Sequence, residues 1–112
     1  MKIKVYISSP YTKGDVAANV RRQLDAANEL MDLGFAPFVP LYSHFQHFVH
    51  PRPYQDWVDI DLEWVPSCDV LLRLPGESAG ADGEVACADR FGLLIVYSIT
   101  ELLAHFPENR RF

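Results

Sequence analysis

The chain predicts an α/β domain: a doubly wound parallel sheet of about four to five strands in a three-layer α/β/α sandwich, flavodoxin- or Rossmann-like. Three observations carry this expectation. Short apolar runs alternate with amphipathic segments in the order β-α-β-α-β-α-β-α, which implies parallel strands joined by helical crossovers. The joins fall on turn and breaker residues, among them Gly14, Gly34, Pro66 and Gly92. Length also bounds the answer: 112 residues, 49% of them hydrophobic, support one core and therefore a single domain over 1–112.

The elements follow in order. Residues 2–8 carry β-branched and aromatic side chains and read as a buried first strand. A turn runs from Ser8 to Gly14, and Asp15 is placed to cap a helix over about 16–33. Val16, Val20, Leu24, Ala27, Leu30 and Met31 fall at helical spacing along it, and Gly34 is the expected stop. Residues 35–39 form a short second strand whose Pro37 suits a sheet edge. A long loop, rich in aromatics and histidines, is expected over 40–53, closed by Pro51 and Pro53. A helix over about 54–65 ends at Pro66. Strand three takes 69–74, a helix about 80–91, strand four 93–97 and a last helix, capped by Ser98, about 99–105; residues 107–112 read as a polar tail.

The segment Leu74-Pro-Gly-Glu-Ser-Ala-Gly-Ala-Asp-Gly-Glu84 joins strand three to the next helix. In an open α/β sheet, ligands bind at such carboxyl ends of strands, here those of strands one and three. The glycines at 76, 80 and 83 give a ligand access to the backbone. Glu84 is placed at or just inside the first helical turn, where the helix dipole holds a carboxylate ionised. That state suits a nucleophile better than a proton donor. Asp61, with Trp57, Trp64 and Val65 at helical neighbour positions, is a carboxylate among aromatics and is expected to hold its proton more tightly than usual. Asp59 and Glu63 read as surface charge. One ionised carboxylate beside one that manages protons is the usual equipment for cleaving a glycosidic bond.

Other features weigh less. His44, His47 and His50 recur every three residues, with Phe45 and Phe48 between them, a spacing that matches no known ligand pattern; a cover for a ligand base fits better than a metal site. Ser8, Ser9, Tyr11 and Thr12 offer hydroxyls at the end of strand one, without the phosphate-binding glycine–lysine pattern or a dinucleotide fingerprint. Cys68 and Cys87 read as reduced structural thiols, in keeping with a cytoplasmic protein. A formal net charge of −5 argues against a nucleic-acid polymer as partner and toward a small molecule. No apolar run is long enough to span a membrane.

Taken together, Val5-Tyr-Ile-Ser-Ser-Pro-Tyr11, Asp61-Leu-Glu-Trp-Val-Pro-Ser-Cys-Asp69 and Ser78-Ala-Gly-Ala-Asp-Gly-Glu84 give the chain a resemblance to the nucleoside 2-deoxyribosyltransferase superfamily, which includes the 2'-deoxynucleoside 5'-phosphate N-hydrolases. The resemblance implies that Glu84 stands at the nucleophile, Asp61 at the acid that assists departure of the base, and Tyr6 at a tyrosine that positions the nucleophile. It further implies substrate contacts from Ser78 and from the Ser8, Ser9 and Tyr11 turn. Gly80, Trp57 and His44 complete the expected substrate-binding set. The first turn, Ser9-Pro10-Tyr11, departs from the basic, glycine-rich turn of the N-hydrolases; Lys13, Arg21 and Arg22 are the cations nearest to it in sequence. The expected activity is cleavage or transfer of the N-glycosidic bond of a (deoxy)nucleoside or its 5'-monophosphate, with neither metal nor cofactor. A homodimer or larger homo-oligomer is the expected assembly. The alternative is a non-catalytic nucleoside- or nucleotide-binding module on the same scaffold.

Overall fold

A computed structural model describes residues 1–109. Strand β1 (Lys4–Ser8) leads through α1 (Val16–Asp32) to β2 (Ala36–Phe38), α2 (Ser43–Val49) and α3 (Tyr54–Trp64). Then come β3 (Val70–Arg73), α4 (Ala79–Arg90), β4 (Leu94–Val96) and α5 (Ile99–His105). The four strands form one parallel sheet in the order β2-β1-β3-β4. The doubly wound α/β expectation therefore holds, at four strands. Pro37 sits on the edge strand β2, where its missing N–H removes no ladder bond from an interior strand. The chain turns to one side of β1 for β2 and to the other for β3 and β4, so the reversal of strand order lies between β1 and β3.

Strand periodicity sorts the core into two layers. Val5 and Ile7 of β1, with Val70 and Leu72 of β3, pack against Ala26, Ala27 and Leu30 of α1 and Leu102 of α5. Tyr6 and Leu71, the intervening residues, face Val65, Cys68 and Ala88 on the other side. Asp15 caps α1 through its carboxylate on the Ala18 N–H, and Ser98 caps α5 on the Glu101 N–H. Met31 departs from the expected stripe of α1: it is 63% exposed, whereas Gln23 is fully buried.

The 40–53 segment is not a loop. A 3-10 turn at Pro40–Tyr42 leads into α2, which ends before Pro51. The helix has no side-chain N-cap bond and no fully buried residue, so neither the capping signal nor the apolar stripe that identifies a helix in sequence is present. At the other end, Pro107–Asn109 forms a 3-10 turn rather than a tail, and the Asn109 side-chain amide donates to the Leu33 carbonyl at 2.9 Å. The rest of the expected tail, 110–112, lies outside the described residues.

Candidate active site

Tyr6 and Ser8 are two apart on β1 and therefore share one face of the sheet, the face that α4 covers. Both reach the same carboxylate. The Tyr6 hydroxyl donates to Glu84 Oε2, and the Ser8 hydroxyl donates to Glu84 Oε1 at 2.7 Å. Each oxygen of Glu84 thus has its own donor, and both donors are side chains with no exposed surface. Glu84 lies in the second turn of α4, not the first; Asp82 occupies the first turn. Burial, rather than the helix end, dominates its ionisation: the Glu84 pKa is raised, with the Tyr6 and Ser8 hydrogen bonds and the Arg73 charge pulling the other way. In place of the expected depression by the helix dipole, the two hydroxyls offset part of the cost that burial sets on the charged form. Tyr6 itself is held firmly in the protonated state by burial and by the adjacent negative charge.

Arg73, at the end of β3, is nearly buried. It donates to the Leu74 carbonyl, to the Gly76 carbonyl at 2.7 Å and to Asp82 at 3.3 Å. These bonds fold the β3–α4 turn back on its own strand. Gly76 completes that turn at φ +120°, with Pro10 so close that a Cβ would lie 2.7 Å from the proline ring. Gly76 is therefore a packing requirement between the two site turns. Gly83 borders open space, and of the three glycines expected to admit a ligand only Gly80 lines the cavity.

Glu84 opens onto a cavity of about 350 Å³. Ser9 and Tyr11 border it from the β1–α1 turn, Ser78 and Gly80 from the start of α4, and Trp57 and Asp61 from α3. Burial, and after it the charge of Glu84, pushes Asp61 up to about 7. Ser78 also caps α4, its hydroxyl accepting from the Ala81 N–H at 3.1 Å. Asp59 and Glu63 are exposed, as expected, and Trp64 turns away from the site to stack on Phe38.

Other placements differ from expectation. Ser8, expected at the substrate, stands with Tyr6 behind Glu84 rather than on the cavity wall. His44 does not line the cavity; its Nδ1 lies 2.5 Å from the Tyr11 hydroxyl, and its ring packs edge-on with Phe45 and Phe48. Phe45 and Phe48 are themselves exposed and do not border the cavity. Nor do the cations near the first turn converge on it: Lys13 pairs with Glu77 at 2.8 Å, Arg21 lies near Asp25, and Arg22 donates to Asn19.

The structure adds Gln23 and Arg52, which the sequence reading passed over. Gln23 reaches from α1 to the end of β1: its amide donates to the Ile7 carbonyl at 3.2 Å and the Ser9 hydroxyl at 2.8 Å, and its carbonyl accepts from the Leu41 N–H at 2.9 Å. His47, Arg52 and Tyr54 join the cavity wall. Among the described residues no cluster of three or more His, Cys, Asp or Glu side chains has the arrangement to hold a metal ion. Both cysteines are free, and burial pushes the Cys68 thiol up to about 11. No helix of the described residues is long and apolar enough to cross a membrane.

Residues 3–98 match the family profile described as a domain of unknown function, DUF7768. The chain belongs to that family. No curated protein matches this chain. Among solved structures, it is similar to a 2-deoxyribosyltransferase from the psychrotolerant bacterium Bacillus psychrosaccharolyticus, with a TM-score of 0.60 and 20% identity over 82% of this chain and 69% of that one. The shared property is the fold, as the sequence motifs imply.

Proposed function

We propose that this DUF7768 domain cleaves or transfers the N-glycosidic bond of a (deoxy)nucleoside or nucleoside 5'-monophosphate, with Glu84 as nucleophile. One observation carries the reading: a partly buried carboxylate, held by two hydroxyl donors, shares a cavity with a second carboxyl group whose pKa is pushed up to about 7. Environments that separate two carboxylates in this way assign their roles. The fold likeness to a 2-deoxyribosyltransferase supports the substrate class.

In the first step Glu84 forms a bond from its carboxylate oxygen to C1' of the sugar. The bond from C1' to the base nitrogen breaks, its electron pair goes to the base, and Asp61 supplies the proton. In the second step water, or the nitrogen of another base, attacks C1'. The ester to Glu84 breaks and Asp61 recovers its proton from the incoming nucleophile. The covalent intermediate divides one difficult displacement into two easier ones. Tyr6 and Ser8 keep the carboxylate oriented and ionised without themselves facing the sugar.

The test is base release from a panel of nucleosides and 5'-monophosphates, followed by chromatography. The expected result is release by the wild-type protein, loss in Glu84→Gln, and a sugar adduct detectable by mass spectrometry only when Glu84 is present. Undiminished release by Glu84→Gln rejects the nucleophile. Thermal stabilisation by nucleosides with no turnover identifies a binding module instead.

A further inference from the structure

His47 borders the cavity and has no part in the proposed reaction, and its ring is not free to choose its tautomer. The indole N–H of Trp57 lies 3.0 Å from His47 Nδ1, and the backbone N–H of Arg52 lies 3.2 Å from the same atom. Both groups only donate. A nitrogen that accepts from two N–H groups carries no proton, so the proton of the neutral ring belongs to Nε2. No described residue accepts from that Nε2, and the ring borders the cavity. Beside it stands Arg52, another group able only to donate, its Nε occupied by Asp56 at 3.0 Å.

The position of this donor relative to the reacting groups follows from α3. Trp57 and Asp61 are four residues apart and face the cavity from successive turns. The wall therefore runs from Glu84 to Asp61, then to Trp57, then to the histidine bonded to Trp57. On that order, the far edge of a base leaving from C1' beside Asp61 would be directed along Trp57 toward His47 and Arg52.

We propose that His47 selects the leaving base: its Nε2–H donates to an exocyclic oxygen and so favours oxo-bases over amino-bases. The inference rests on the glycosidic reading above and deepens it. An oxo group accepts this hydrogen bond. An amino group in its place sets N–H against N–H and leaves the protein donor unpaired, which discriminates more strongly than a missing contact does. Trp57 is a positioning residue in this scheme, because its indole N–H fixes the tautomer that donates.

The probe pair is 2'-deoxyinosine and 2'-deoxyadenosine, compared by kcat/KM. The wild-type protein should favour 2'-deoxyinosine by at least about tenfold. His47→Phe keeps a flat ring without the N–H and should bring the ratio near unity. His47→Gln, which restores an amide N–H near the Nε2 position, should recover part of the preference. A wild-type ratio of one or below, or a preference that survives His47→Phe, overturns the proposal while leaving the glycosidic reading intact. If the wild-type protein releases no base from either nucleoside, the pair is compared as 5'-monophosphates; if these and the rest of the panel release none, the glycosidic reading fails on its own, and equilibrium dialysis with free hypoxanthine and adenine decides the role of His47. Tighter binding of hypoxanthine that is lost in His47→Phe supports it; equal binding, or none, overturns it. Nitrogen-15 spectra of the ring give an independent reading: a proton on Nε2 in the wild type supports the assignment, and one on Nδ1 overturns it.

Discussion

The two walls of the cavity are built differently. The sheet-side wall presents Glu84, backed by Tyr6 and Ser8 on a strand buried from Val5 to Ser8 and by the nearly buried Arg73. The helix-side wall comes from α2 and α3, which have no fully buried residue between them and leave Phe45, Phe48 and Ile60 exposed. What orders the second wall is a set of side-chain hydrogen bonds, Tyr11 with His44 and Trp57 with His47. Under the proposed function the difference separates two tasks. A reacting carboxylate needs a fixed position, and a packed strand provides it. A wall that reads varied ligands tolerates a looser mounting, where local opening costs less.

Gln23 joins the walls, and its loss should have the largest effect. It is fully buried and links the Ile7 carbonyl and Ser9 hydroxyl on one side to the Leu41 N–H on the other. Gln23→Leu keeps the volume and leaves those groups without partners, which should cost about 3 kcal/mol of folding stability. Urea denaturation measures it. A loss below about 1 kcal/mol would mean that water replaces the amide and that the walls are held together elsewhere.

Tyr6→Phe tests the sheet side alone. The change removes one of two hydroxyl donors to Glu84 without opening a cavity larger than the missing oxygen. A hydrogen bond to a charged group is worth about 2 kcal/mol, so turnover should fall about thirtyfold. The Glu84 pKa should rise further, because a bond that stabilises the ion is gone. The acid limb of the pH–rate profile should accordingly move to higher pH. A fall in rate with that limb unmoved would assign Tyr6 a packing role only.

The contrast between the walls also explains what the sequence disclosed. Short apolar runs at crossover spacing define the sheet, and the turn from Leu74 to Glu84 marks the site because glycine and a carboxylate at a strand end have few structural uses. Along β1, alternation alone puts Tyr6 and Ser8 on one face. On the helix side, spacing paired Asp61 with Trp57 on α3, but α2 was closed to such reasoning. α2 has neither cap nor buried stripe, and its contacts run between side chains ten or more residues apart, as from Trp57 to His47 and from Tyr11 to His44. Gln23 was legible in principle: it lies three residues after Val20 and four before Ala27, a polar residue on the apolar stripe of α1. Glu84 was placed one turn too early, so its ionisation was credited to the helix end instead of to its hydroxyl partners.

Asp61 stands between the two walls, on α3 but within the field of Glu84. Its pKa, pushed up to about 7, lies above that of an unfolded aspartate, so between about pH 4 and 7 the folded protein keeps a proton that the unfolded chain has released. Stability must fall as pH rises through that window, and the penalty is complete above it. Asp61→Asn removes the ionisation. The variant should match the wild type near pH 4 and exceed it at pH 8 by about 1–2 kcal/mol, a figure reduced for the part of the carboxyl that solvent reaches. Thermal melts across the range measure the difference. In activity, the descending limb near pH 7 should disappear along with most of the rate. A constant stability difference across pH would show that Asp61 ionises as a surface group.

The smallest effect should come from Gly80, where the two walls touch. A Cβ there would lie 2.8 Å from the Tyr54 hydroxyl, the far end of a side chain that is itself more than half exposed. Tyr54 can swing away. Gly80 also lies in the first turn of α4 and does not have a positive φ, so alanine is compatible with its backbone and restricts the unfolded chain. The two contributions nearly cancel, and Gly80→Ala should change stability by no more than about 0.5 kcal/mol. Gly76→Ala is the control on the rigid side: at φ +120° and against the Pro10 ring, neither backbone nor neighbour has an easy escape, and a loss of about 1–3 kcal/mol is expected. If the helix side is the adaptable wall, Gly80→Ala should alter KM for the nucleoside more than kcat, because Tyr54 moves while Glu84 does not. An equal loss in kcat and kcat/KM would instead mean that displacement of Tyr54 is transmitted to Glu84, and the two walls would have to be treated as one mechanical unit.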